Sequence, residues 1–412
     1  MLIRFRTANF RSLRDEQELS LVAAFPEGRT DLVHVEGAGL DLLRVAGIYG
    51  ANAAGKSNVL EALEFMSQAV RGSHRQWGPE QPIPREPFLL DPALRGEPSL
   101  FEADFLIEGV LYQYGFRLDD ERILEEWLHT YPKNRRQVWF SRNADAFDFG
   151  RELKGSNRTI EALTRKNSLF LSVAAENNHQ ALLPVYSWFV KRLRFSSADG
   201  RAGQIPWQTL EEDKETALDL LRLADLGVVD FEVRIVPLAG IAANGKFYPS
   251  PDLRKLYLKH ESSSGLIFLP LAKESRGTQS WLSLLGPLLE MLRGGGVACI
   301  DELDASLHPH LAAAVIRLFQ DPVRNPGSAQ LIFNTHDTNL LGNLLDEQPL
   351  LHRDQIWFVE KDQEGASHLY PLTDFKPRKG ENLERGYLQG RYGAIPYISA
   401  QLQRENAEEN PE

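Results

Sequence analysis

The stretch Gly50-Ala51-Asn52-Ala53-Ala54-Gly55-Lys56-Ser57 constrains the fold of this chain more than any other feature. It satisfies G-x-x-x-x-G-K-[ST], a pattern that grips phosphate only when a strand leads in and a helix leads out. Both flanks comply. LLRVAGIYG reads as a buried strand, and from Asn58 the apolar residues Val59, Leu60, Leu63, Phe65 and Met66 follow helical spacing. In such a loop the backbone N–H groups point inward and the helix adds its positive end, so residues 50–58 are expected to hold the phosphates of a nucleotide. Lys56 is expected to reach the β and γ phosphates and Ser57 to ligate Mg2+.

Three further stretches supply what phosphate-cleaving chemistry needs. GGGVACIDELD is an apolar strand ending in two acids. Asp301 is expected to hold Mg2+ through water, and Glu302 to act as general base on the attacking water. AQLIFNTHD delivers His336 at the end of another buried strand, where it can orient that water. In KESRGTQSWLSLL, Ser275, Gly277 and Thr278 open a helix whose first amides suit an anion.

The rest of the composition bounds the setting. At 412 residues the chain is expected to form two or three lobes. A single cysteine, Cys299, excludes an internal disulfide framework and a cysteine-rich zinc site, which fits a reducing cytoplasm. The opening MLIRFRTANFRSL lacks a signal-peptide core, and no apolar run approaches the roughly 18 residues of a membrane span. A net charge of −11 argues against a chain that coats nucleic acid over its whole surface. Between Lys133 and Arg194, however, twelve basic residues outnumber five acids, leaving a possible nucleic-acid contact.

Periodicity divides the chain into four expected parts. Residues 1–157 form an N-terminal lobe with the glycine loop and an antiparallel sheet from alternating stretches such as LFEADFLIEG and VLYQYGFRL. Residues 158–230 read as a helical insertion lobe, 231–398 as a C-terminal lobe carrying the acids and His336, and 399–412 as a flexible tail. No heptad is sustained, so a long coiled coil is not expected.

The order of these motifs resembles the ABC-type ATPase head, and more narrowly the prokaryotic ATPases of the SMC/RecF/OLD class. NFRSL at 9–13, DELDASLHP at 301–309, QLIFNTHDTNLL at 330–341, HRDQIWFVEKD at 352–362 and YLQGRYGAIP at 387–396 look like recurring phrases of that class. RloA-like and Septu-type ATPases, encoded beside restriction or antiphage genes, belong to it. The resemblance covers about residues 1–70 and 265–396. It implies an α/β fold of ABC P-loop type with an antiparallel β-subdomain. It also implies that Ser275 to Thr278 complete the ATP site of a partner subunit, that Ala305 to His308 cross the dimer interface, and that Arg11 and Ser12 lie near the nucleotide. The signature departs from the transporter form, reading SRGTQ rather than LSGGQ, and no Q-loop glutamine is assigned between Ser57 and Ser275.

The expected function is a Mg2+-dependent ATPase that dimerises around ATP and couples hydrolysis to an effector or nucleic acid in antiphage defence. The effector would be a nuclease or toxin encoded nearby. Two alternatives stand beside it: an OLD-type nuclease, which needs a further acid-rich domain after His336, and an SMC-like DNA tether, which needs a rod.

Overall fold

The structure is a computed structural model. It describes residues 1–197, 207–212, 214–223, 227–236, 241–243, 246–248, 253–263, 265–305, 307–342, 349–376 and 381–395. The expected tail, 399–412, lies outside these residues.

The chain opens with β1 (Leu2–Ala8) and β2 (Gln17–Ser20), a hairpin of β3 (Leu32–Val35) and β4 (Leu40–Leu43), β5 (Val45–Gly50) and α1 (Lys56–Gly72). A meander follows: β6 (Ser99–Ile107), β7 (Val110–Leu118), β8 (Ile123–Thr130), β9 (Gln137–Asn143) and β10 (Ala146–Phe149). The middle holds α2 (Asn157–Leu163), α3 (Phe170–Glu176), α4 (Leu183–Ser187), β11 (Leu193–Ser197), α5 (Trp207–Glu212) and α6 (Lys214–Leu223). Next come β12 (Val228–Val236), β13 (Ile241–Ala243), β14 (Lys246–Tyr248), β15 (Leu253–Ser262) and β16 (Gly265–Pro270). The last part has α7 (Arg276–Gly294), β17 (Val297–Asp301), α8 (Pro309–Gln320), β18 (Gln330–Asn334), β19 (Ile356–Lys361), β20 (Ser367–Pro371) and α9 (Leu383–Leu388).

Two large sheets organise these elements. The first is antiparallel, in the order β10-β9-β8-β7-β6-β1-β2. The second runs β11-β17-β18-β5-β19-β20; its first five strands are parallel and β20 closes the edge antiparallel. This pairing of a parallel P-loop sheet with an antiparallel subdomain is the ABC-type architecture the motif order implies. One strand departs from the expectation for residues 158–230: β11 lies in that span yet pairs with β17 in the central sheet. Its five residues, LRFSS, are too short for periodicity to separate strand from helix.

Alternation along the parallel strands explains how both faces are covered. Ala46 and Ile48 of β5 and Val297 and Cys299 of β17 face α1, whereas Val45, Tyr49, Ala298 and Ile300 face the opposite core, which contains α7 and α8. Helix α1 is wedged between the two sheets, with Val59, Leu63, Met66 and Val70 among Ile48, Phe101 and Phe116. Each such side chain contributes on the order of 1.5–3 kcal/mol by leaving water. The glycine loop at the head of α1 is thereby fixed to both sheets.

Candidate functional site

The P-loop leaves β5 at Gly50, where a Cβ would run into the Val359 carbonyl of β19. It turns through Ala53 at φ 60° and Gly55 at φ 108° before α1 begins at Lys56. A Cβ at Gly55 would strike the hydroxyls of Ser12 and Ser367. Ser367 Oγ lies 2.7 Å from Ser12 Oγ and donates to the Ala54 carbonyl at 2.5 Å, so β20 and the loop after β1 brace the turn. No side chain caps the N-terminus of α1, which leaves its first amides facing the loop's concavity.

Lys56 is 6 % exposed and its Nζ donates to the carbonyls of Gly50 (3.0 Å) and Ala51 (3.1 Å). Burial lowers its pKa to about 8. His336, two residues beyond β18, brings its Nε2 to 3.1 Å from that ammonium, and burial and the Lys56 charge lower its pKa. A desolvated cation beside a histidine held toward its neutral form is matched to an anionic ligand, which restores the charge balance both have lost.

β17 ends in Asp301, and Glu302 follows in a left-handed backbone conformation at φ 52°. For a residue other than glycine this costs about 1–3 kcal/mol and needs support from its surroundings. Support comes from Asn334 at the end of β18. Its Oδ1 accepts the Glu302 N–H at 2.6 Å, and its Nδ2 donates to Asp301 and lies 3.5 Å from Ser57 Oγ. Asp304 ties the next turn to the histidine, accepting from the Thr335 hydroxyl at 2.7 Å and the His336 N–H at 3.2 Å.

Asn52, Ala53, residues 55–58, Glu302, Asp304, Ala305, Asn334, His336 and Lys361 surround a cleft of about 750 Å³. Ser57 and Asp301, both hard oxygen donors joined through Asn334, suit a Mg2+ ion that takes its remaining ligands from water and a phosphate. Among the described residues no group of three or more His, Cys, Asp or Glu side chains forms a self-sufficient metal cage.

The sequence-read residues thus fall into three groups. Residues 50–58, Asp301, Glu302 and His336 meet at the C-terminal ends of β5, β17 and β18. Ser275 and Gly277 are elsewhere: Ser275 is exposed and caps α7, accepting the Thr278 N–H at 3.1 Å, and neither lines the P-loop cleft. Ser12 touches the loop, but the Arg11 guanidinium turns away from it to pair with Glu61 and with Glu86 at 2.9 Å. Ser306, within the expected interface turn 305–308, is outside the described residues. Asn334, Thr335, Asp304 and Ser367 escape the sequence reading; FNTHD and DELD carry a signal for the first three, as short polar residues beside a site histidine and a site acid, and nothing nearby in sequence marks Ser367. β11 ends level with Asp301, and its continuation lies in the undescribed 198–206.

The basic stretch is divided by the fold. Arg142 is buried against Glu126 and backbone carbonyls, Arg165 donates to the carbonyls of Ser73, His74 and Trp77, and Arg192 donates to those of Gly294 and Gly295. Among the described residues no helix is long and apolar enough to cross a membrane.

No curated protein matches the chain. Among solved structures, the SMC head domain from Thermotoga maritima is similar at 14 % identity and a TM-score of 0.40, covering 90 % of this chain and 98 % of that one. An SMC head bound to the C-winged helix domain of ScpA is similar at 13 % identity and a TM-score of 0.44, with 90 % and 97 % covered. Residues 45–342, well over half of the chain, match the family described as "AAA domain, putative AbiEii toxin, Type IV TA system". The P-loop, the acid pair and the histidine are gathered on one parallel sheet within the matched residues, and the chain belongs to that AAA-domain family.

Proposed function

We propose that this protein hydrolyses ATP with Mg2+ and that two copies close around two nucleotides to do so. One observation carries the reading: Lys56, Ser57, Glu302 and His336, drawn from three separate stretches of sequence, line a single cleft, and Asn334 joins Asp301 to its edge at Ser57. In that cleft the P-loop amides and Lys56 hold the β and γ phosphates, and Ser57 and Asp301 hold the metal. Bound Mg2+ supplies charge neutralisation for the leaving phosphate. Glu302, exposed at the cleft, accepts a proton from the attacking water, and His336, lining the same cleft, orients that water.

The need for a second copy follows from Ser275 and Gly277. They open a capped helix, are accessible, and stand apart from their own P-loop, as expected of a surface that completes the site of a partner. Coupling to an effector in antiphage defence is the wider proposal, in keeping with a family description that refers to toxin–antitoxin systems. Direct nucleic-acid contact through 133–194 would rest on the exposed Lys133, Arg135, Arg151 and Lys191, since Arg142, Arg165 and Arg192 are engaged internally.

The test is phosphate release from ATP by the purified protein with Mg2+ and with EDTA. Metal-dependent turnover supports the reading. Absence of both turnover and measurable ATP affinity overturns it.

A further inference from the structure

Asn334 has a role that none of the motifs assigns. It is fully buried at the end of β18, and its contacts reach all the residues around the metal position. Oδ1 accepts from the Glu302 N–H, Nδ2 serves Asp301 and approaches Ser57, and its backbone carbonyl accepts the Leu303 N–H at 3.1 Å. An amide offers a donor and an acceptor at once from one rigid plane. Aspartate would offer acceptors alone and face Asp301 with like charge, and serine is too short to serve both sides. The left-handed turn at Glu302 has its N–H held by this amide.

We propose that Asn334 is a positioning residue that sets the Asp301 carboxylate, the Ser57 hydroxyl and the Glu302 base in one fixed arrangement, so that metal capture and water activation are built together. The inference rests on the ATPase reading above. It goes beyond that reading by assigning the coupling of the two acids to a residue that itself touches neither phosphate nor water.

The experiment compares the parental protein with Asn334→Leu and Asn334→Ser. Binding of a fluorescent ATP analogue is measured in EDTA and across a Mg2+ titration, alongside kcat and KM, with circular-dichroism melting to establish that each variant is folded. In EDTA, where the P-loop and Lys56 act alone, affinity should stay within about twofold of parental. The Mg2+ midpoint should rise about tenfold, which is about 1.4 kcal/mol, and kcat should fall about a hundredfold with KM little changed. Serine, able to keep one contact, should fall between. If Asn334→Leu does not fold, the serine variant carries the comparison. A folded variant with parental Mg2+ midpoint and parental kcat overturns the inference, as does an equal loss of affinity in EDTA and Mg2+, which would mark Asn334 as a general support of the P-loop. Failure of the parental protein to hydrolyse ATP defeats the ATPase reading instead, and the Mg2+ titration of binding still decides the role of Asn334.

Discussion

At the scale of single residues, the roles of Lys56 and Glu302 separate cleanly. Glu302 is exposed and is expected to act on water, so Glu302→Gln should keep ATP affinity within a few fold while turnover drops at least a hundredfold. Equal turnover in the variant and the parent would remove Glu302 from the mechanism. Lys56 predicts a pH dependence. Its folded pKa is about 8 against 10.5 when exposed, so between those values the unfolded chain binds the extra proton and stability rises with pH, by up to about 1.4 kcal/mol per unit. ATP affinity should run the opposite way, weakening above pH 8 because binding must return the proton to Lys56. Melting temperature and ATP affinity measured from pH 7 to 10 check both slopes, and in Lys56→Met the difference attributable to this residue should vanish. Of these residues the sequence shows the P-loop and the acid pair directly, because covalent spacing alone brings them to strand ends. The positions of Asn334 and Arg11 were not legible, since their partners lie far away in sequence: Asp301 and Glu302 for one, Glu61 and Glu86 for the other.

At the scale of elements, α7 and α3 carry predictions of different kinds. If α7 completes a site across two copies, Ser275→Arg should retain ATP binding at its own P-loop and lose hydrolysis. Mixing it with Lys56→Ala should restore part of the activity, because a mixed dimer keeps one site with both halves intact. Activity of Ser275→Arg alone at the parental level would reduce Ser275 to a helix cap. Helix α3 is held differently. Glu126, fully buried on β8, accepts from the Phe170 N–H at 2.6 Å, the Leu171 N–H at 3.0 Å and the Tyr114 hydroxyl at 2.9 Å, with Arg142 behind it. Glu126→Ala leaves Arg142 buried without its counter-charge and should cost about 3–5 kcal/mol, read as a lowered denaturant midpoint. The strands β6 to β9 were legible from their β-rich apolar stretches set between turn signals, although β6 is buried along nearly its whole length. β11 was not, because its five residues, LRFSS, are too few for periodicity to separate a strand from a helical turn.

At the scale of the whole molecule, stretches distant in sequence are brought together on one sheet: the P-loop comes from β5 and α1, and the acids and histidine from β17 and β18. The pairing was legible because the motifs occur in a fixed order. Which basic residues face solvent was not, since charge counts along a sequence do not distinguish Arg142, sealed against Glu126, from the exposed Lys191. The composite site remains the central claim, and sedimentation of Glu302→Gln tests it most directly, because slow hydrolysis should trap whatever assembly ATP creates. With Mg2+ and saturating ATP, the protein should shift from the 46.5 kDa monomer to a species of twice that mass, and Ser275→Arg introduced in the same chain should abolish the shift. A Glu302→Gln protein that binds ATP with undiminished affinity and yet sediments identically with and without nucleotide would contradict the two-copy mechanism.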